Sequence, residues 1–297
     1  MLYEFALDPG VLNNFQTIRY FLEKFGIHHG RLISRFPAKW KKLVYECCAS
    51  CGDIERKKIE ESLVAVDAKL VNSNRSFDGN LPWLNNAENQ HNIKPFHAII
   101  SSSNPRNVSV ILIADNLTET NTLWNVPREK VVSRKAKDLA KYVQPLLQIA
   151  SEVLFVDPHF DPSEPRYRNI LSHFVQSINI NMTRRIEYHL GNKIRKDHFQ
   201  DTCSKYIPDI LPKGLEVKFI RWERIEGCDA LHPRYILTDK GGVRIERGLD
   251  EGRDGEFTDV SLLDWNVYAQ RWKEYQLATS TFKHVDEIKV TGIQGEK

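Results

Sequence analysis

His232, Arg234 and Asp239 in the segment HPRYILTD are the residues whose types and spacing point most directly to chemistry. An imidazole can attack the phosphorus of a phosphodiester and give a phosphohistidine that water later resolves. A carboxylate must then orient the ring, and a cation must stabilise the charge on the non-bridging oxygens. His232 is the expected nucleophile. On a strand, residues two apart face the same side, so Arg234 joins His232 on one phosphate and can grip it with a two-pronged guanidinium. Asp239 either orients His232 or begins the Asp-Lys-Gly-Gly turn, and both readings stand at this stage.

Other residues offer supporting roles. His189 in EYHLGNK falls at the end of an expected strand, near the edge where open α/β sheets hold ligands, with Lys193 just behind as a phosphate-binding cation. His159 in DPHFDP follows another expected strand. Asp157 and Asp161, four apart in a loop, are weak metal ligands, and no metal or other cofactor is expected. Arg247 is a further phosphate-binding candidate, with an ion pair to Asp250 as the alternative. His97 has Ile99 where a cation would be needed, so its similar setting is a chance match.

The elements that must position these residues begin at about Ser133. SRKAKDLAKYVQPLLQIA reads as a helix, SEVLFVD as a buried strand, PRYRNILSHFVQSI as a helix, RIEYHL as a strand, DHFQDTCSKYIPDIL as a helix and LEVKFIRW as a strand. Connections of this length favour a mostly parallel sheet with packed helices, followed by a hairpin of RYILTD and GVRIER. Residues 1 to about 70 read as mainly helical, through FQTIRYFLEKFG, PAKWKKLVYECC and a helix started by Asp53. NSNRSFDGNLPWLNNAENQHN reads as loop, and HAIIS and VSVILIAD read as two strands joined by the SSNPRN turn. The expected organisation is a mainly helical α+β domain over residues 1–125, of no assigned fold, before an α/β domain over 126–297.

The spacing His232, Arg234, Asp239 resembles the His-x-Lys-(four residues)-Asp motif of the phospholipase D superfamily, with arginine in place of lysine. DPHFDP resembles the start of such domains, and GLD at Gly248–Asp250 stands near the superfamily's glycine-containing segment, which usually reads Gly-Ser-x-Asn. The single motif and its ending also resemble the phospholipase D-like C-terminal domain associated with microtubule-interacting and trafficking proteins, whose role is binding. The resemblance implies a phospholipase D-like mixed sheet with flanking helices over residues 130–297. It also implies metal-independent phosphodiester chemistry with a second histidine as general acid. That histidine would be His189, His159, or the partner copy's equivalent in a homodimer.

Composition narrows the remaining choices. The 297 residues carry a formal net charge of +3, too small to prove a polyanion partner. Basic clusters at Arg31–Lys42, Arg128–Lys141 and Arg184–Lys196 leave nucleic acid as a candidate partner, and RLISRFPAKWKKLVY interleaves cations with Phe36 and Trp40. No apolar run reaches the roughly 18 residues of a membrane span, and MLYEFALDPG lacks a secretion signal, so a cytoplasmic protein is expected. Five cysteines, with Cys47, Cys48 and Cys51 clustered, do not suggest a disulfide framework, and CCASC lacks the second half of a zinc site. The leading expectation is a metal-independent nuclease. The alternatives are a non-catalytic module for nucleic acid or phosphoinositide phosphate, and a subunit of a bacterial defence or repair complex with a protein partner.

Overall fold

The computed structural model describes residues 1–227, 231, 233–278 and 280–293. The chain divides into two compact units, Leu2–Arg128 and Glu129–Lys297. His232 lies outside the described residues.

The first unit contains β1 (Tyr3–Leu7), α1 (Phe15–Lys24), β2 (Arg31–Arg35), α2 (Trp40–Cys47), α3 (Asp53–Ala65), β3 (Leu70–Asn72), α4 (Trp83–Ile93), β4 (Ala98–Ser101) and β5 (Ile111–Ile113). All five strands are parallel, in the order β3-β2-β1-β4-β5. Alternation along β1 and β4 sends Phe5, Leu7, Ala98 and Ile100 to one face, where Ile18 and Phe21 of α1, Trp40 and Val44 of α2, and Ile59 of α3 cover them. Ala6 and Ile99 go to the other face, under Ala87 of α4. The chain thus winds outward from β1 on one face and returns by α4 on the other, as right-handed crossovers require when the direction of travel reverses.

This architecture corrects the mainly helical reading. YEFAL and RLISR are strands of five residues covered on both faces, too short and too mixed to show a period. The Asn-rich loop segment contains α4, whose buried Asn86 accepts from Asp78 N–H and donates to Asp78, Leu81 and Pro82 carbonyls. β4 and β5 are neighbours as expected but run parallel, so SSNPRN belongs to a crossover and not to a hairpin. Phe36 and Trp40 are fully buried, and Arg35 and Lys41 both pair with Asp67. The interleaved aromatics therefore have no face to offer a base.

The second unit contains β6 (Glu129–Ser133), α5 (Ala136–Leu147), β7 (Glu152–Val156), α6 (Pro165–Gln176), β8 (Arg185–Gly191), α7 (Lys196–Tyr206), β9 (Glu216–Glu223), β10 (Tyr235–Thr238), β11 (Gly242–Ile245), β12 (Phe257–Leu262), α8 (Trp265–Glu274) and β13 (Lys283–Thr291). They build one sheet in the order β13-β9-β8-β7-β10-β11-β12-β6. β7, β8 and β9 are parallel, and the remaining pairs are antiparallel. The unit is a mixed α/β domain.

Its sheet has two distinct faces. Phe155, Tyr188 and Phe219 stack across β7, β8 and β9 on one face, with Phe174 of α6 lying flat on Phe155 at 5.5 Å between ring centres. Leu154, Val156, Ile220, Trp222, Tyr235 and Leu237 occupy the other face, under Tyr268 of α8 and the adjoining Tyr275. Truncating a buried ring such as Phe174 to alanine costs about 3–5 kcal/mol. The alternation decides which polar side chains meet at the strand ends.

Candidate functional site

Arg234 and Asp157 come together because β7 and β10 are antiparallel. Tyr235 pairs with Val156, so the next step along each strand sets Arg234 opposite Asp157. Both continue the alternation of Ile236 and Phe155, and so stand on the α6 face. Arg234 Nε lies 4.0 Å from Asp157 Oδ1, beyond hydrogen-bonding reach.

Asp157 is held from the loops on either side. Its Oδ1 accepts from the His159 N–H at 2.9 Å, and its Oδ2 accepts from the Leu249 N–H at 2.7 Å. Burial pushes its carboxyl above the ordinary aspartate value, opposed by those two N–H groups and Arg234 and reinforced by Asp250. Gly248, with φ of 132°, makes the Leu249 contact feasible: a Cβ there would sit 2.6 Å from Asp250 Oδ1 and 3.3 Å from Asp157 Oδ2.

Asp250 is fixed by a different set of cations. Arg134, between β6 and α5, donates to Oδ1 at 2.6 Å, and Arg166, in the first turn of α6, donates to Oδ2 at 3.1 Å. Arg134 also holds Glu256 at 2.8 Å. The expected Arg247–Asp250 pair is therefore replaced by Arg134 and Arg166. Arg247 is exposed, and its backbone N–H donates to Thr258.

Three buried polar atoms of this cluster lack a hydrogen-bond partner among the described residues: Arg234 Nε, Arg134 Nε and the Tyr188 hydroxyl. The Arg234 side chain is 20% exposed, whereas Tyr188 and Asp157 are each 1% exposed. Burial, then the nearby Asp157, raises the Tyr188 phenol well above its usual value, and the same two causes raise Tyr167 of α6. Both phenols are therefore neutral donors at physiological pH. A cation facing its carboxylate from 4.0 Å, with an Nε that has no acceptor among the described residues, has the chemistry to accept an oxyanion.

The remaining expected residues are distributed as follows. His159 is exposed at the same strand end, two residues beyond Asp157. Asp161 accepts from both the N–H and hydroxyl of Ser163 in the same loop. Lys193 is exposed just after β8. Asp239 stands at the far end of β10 from Arg234. There it accepts from Ser151 N–H at 2.8 Å, Ser151 hydroxyl at 2.7 Å and Glu152 N–H at 3.1 Å, with Lys240 at 3.0 Å. Those donors and Lys240 outweigh the effect of burial and hold its carboxyl below the ordinary value. Asp239 therefore ties the hairpin turn to the start of β7, because four residues of extended strand separate it from Arg234.

His189 differs most from its expected place. It is 0% exposed and points to the α8 face, opposite Arg234, because it pairs with Val156 and not with a residue of the Phe155 series. Trp222 Nε1 donates to its Nδ1 at 2.9 Å, and its Nε2 lies 3.2 Å from Glu187 Oε2 without hydrogen-bond alignment. Burial lowers its pKa, against the pull of Glu187. A ring enclosed on the wrong face cannot protonate a leaving group at Arg234.

Sequence reasoning missed Arg134, Arg166, Tyr167 and Tyr188 as site neighbours. The local signal for Asp157 was present, since it ends an apolar strand and opens DPHFDP. Arg134 carried none: its partner Asp250 is 116 residues away.

No family model matches the chain, and no curated protein matches it. Among solved structures, the chain is similar to one described as TrmBL2, an archaeal chromatin protein with a novel mode of DNA binding, at 14% identity and a TM-score of 0.29. The match covers 54% of this chain and spans about half, 55%, of that one.

Proposed function

We propose that the second unit binds the phosphodiester backbone of a nucleic acid at Arg234, in a phospholipase D-like setting, without a metal. The observation that carries this reading is the Arg234 Nε: among the described residues it is buried without an acceptor, and Asp157 stays 4.0 Å away. A phosphate oxygen supplies the missing acceptor, and a forked cation matches two non-bridging oxygens. The exposed Lys193 and Arg247 give the backbone further cationic contacts.

Cleavage through His232 is the second reading, favoured by the exposure of His159 at the same strand end. His232 would attack phosphorus through its ring-nitrogen lone pair, Arg234 would stabilise the developing charge, and a protonated His159 would give its proton to the leaving oxygen as the P–O bond breaks. The test uses labelled single- and double-stranded DNA and RNA in EDTA with wild type, Arg234→Gln and His232→Ala. Binding that weakens in Arg234→Gln without cutting supports recognition alone. Cutting lost in His232→Ala supports the nuclease. Equal binding by wild type and Arg234→Gln rejects the Arg234 site.

A further inference from the structure

CCASC leaves a pair of thiols, Cys48 and Cys51, in the first unit. Cys51 N–H donates to Cys48 O at 3.0 Å, so the two residues are the ends of a β-turn. Turn ends lie within about 7 Å between Cα atoms, the separation a disulfide spans. The sulfurs also converge on one strip of backbone. Cys48 Sγ donates to Leu12 O at 3.2 Å and Cys51 Sγ to Asn13 O at 3.6 Å, carbonyls of consecutive residues.

We infer that Cys48 and Cys51 are a reversible dithiol–disulfide modification site, oxidised by a small disulfide such as glutathione disulfide. Cys51 is partly exposed and Cys48 is buried, which sets the order of events. The Cys51 sulfur attacks one sulfur of glutathione disulfide and releases one glutathione thiol. The Cys48 sulfur then attacks the Cys51 sulfur of the mixed disulfide and releases the second. Two thiol protons leave with the two glutathione molecules; the protein loses two electrons and the glutathione disulfide gains them. Burial, then Cys51 and Cys47, pushes the Cys48 thiol up to about 11, so the second step is slow at neutral pH and faster in mild alkali. Closing the bond removes both thiol donors from the Leu12 and Asn13 carbonyls, so the segment after β1 registers the redox state.

The full chain is equilibrated at increasing ratios of oxidised to reduced glutathione, alkylated and digested with trypsin. The fragment Leu43–Arg56 contains Cys47, Cys48 and Cys51. The expected result is loss of two of its three alkylation labels, with the reduced mass lowered by about 2 Da and restored by dithiothreitol. Cys47→Ser keeps the bond, and Cys51→Ser abolishes it. Three labels at every ratio, a glutathione adduct that never closes, or a bond that disappears in Cys47→Ser each overturns the inference.

Discussion

The two faces of the second sheet each bury a cluster of charge, and they differ in how far the central charges are paired. On the α8 side, Glu187 receives Arg185 at 2.6 Å, with His189 at 3.2 Å and Lys218 at 3.7 Å, while Trp222 fills the other nitrogen of His189. On the α6 side, Arg234 stops 4.0 Å short of Asp157 and the Tyr188 hydroxyl has no acceptor among the described residues. A histidine with nearby basic residues looks like a site in the sequence, yet in that cluster Glu187 meets Arg185 and Lys218 directly and, among the described residues, only His189 Nε2 is left without an aligned hydrogen bond. On the proposed reading, the gap between Arg234 and Asp157 is what distinguishes the two clusters, because a buried cation that makes no bond to its carboxylate costs free energy that a bound oxyanion would offset.

The largest effect is expected where pairing is most complete. Glu187→Gln removes a buried carboxylate from the half-buried Arg185 and Lys218 and is expected to cost about 3 kcal/mol in urea unfolding, with nucleic-acid affinity unchanged. Burial pushes the Glu187 carboxyl up, but His189 and Arg185 outweigh it and hold it at about 2. The folded value therefore lies below the unfolded one. Glu187's contribution is present above pH 4.5 and disappears as pH falls toward about 2, so wild type and Glu187→Gln should converge in that window. Equal stability of the two at pH 7 would break the contrast between faces.

Arg234→Gln is expected to do the reverse. Oligonucleotide affinity by fluorescence anisotropy should fall by about 2 kcal/mol, roughly thirtyfold, while the unfolding midpoint barely moves. Loss of stability on the scale of Glu187→Gln would make Arg234 structural. Tyr188→Phe is the finer test: removing a buried hydroxyl that makes no bond is expected to raise stability by about 1 kcal/mol and to weaken the oligonucleotide complex slightly. A destabilised Tyr188→Phe would show that the hydroxyl is already used.

Much of the second unit was legible in the sequence. SEVLFVD, RIEYHL and LEVKFIRW are apolar runs separated by amphipathic helices, and RYILTD with GVRIER forms the expected hairpin. The first unit was harder because β1, β2 and β3 are only three to five residues long and take part of their burial from helices remote in sequence. α4 escaped because its exposed face is rich in Asn, which sequence patterns assign to turns.

The site divides in the same way. Arg234 and the strand end carrying Asp157 could be found from spacing alone. Arg134 and Arg166 could not, since their shared acceptor Asp250 lies 116 and 84 residues away from them.

The sequence by itself determined the alternating residues along each strand, the helix stripes of the second unit, the hairpin at Lys240 and Gly241, and the place of Arg234 at the start of a strand. Tertiary structure decided that β4 and β5 run parallel, that Arg234 meets Asp157, and that His189 belongs to the opposite face. Local periodicity fixes which residues of one strand share a side. Only strand order and register fix which sides of different strands coincide, since those depend on packing between segments far apart in the chain.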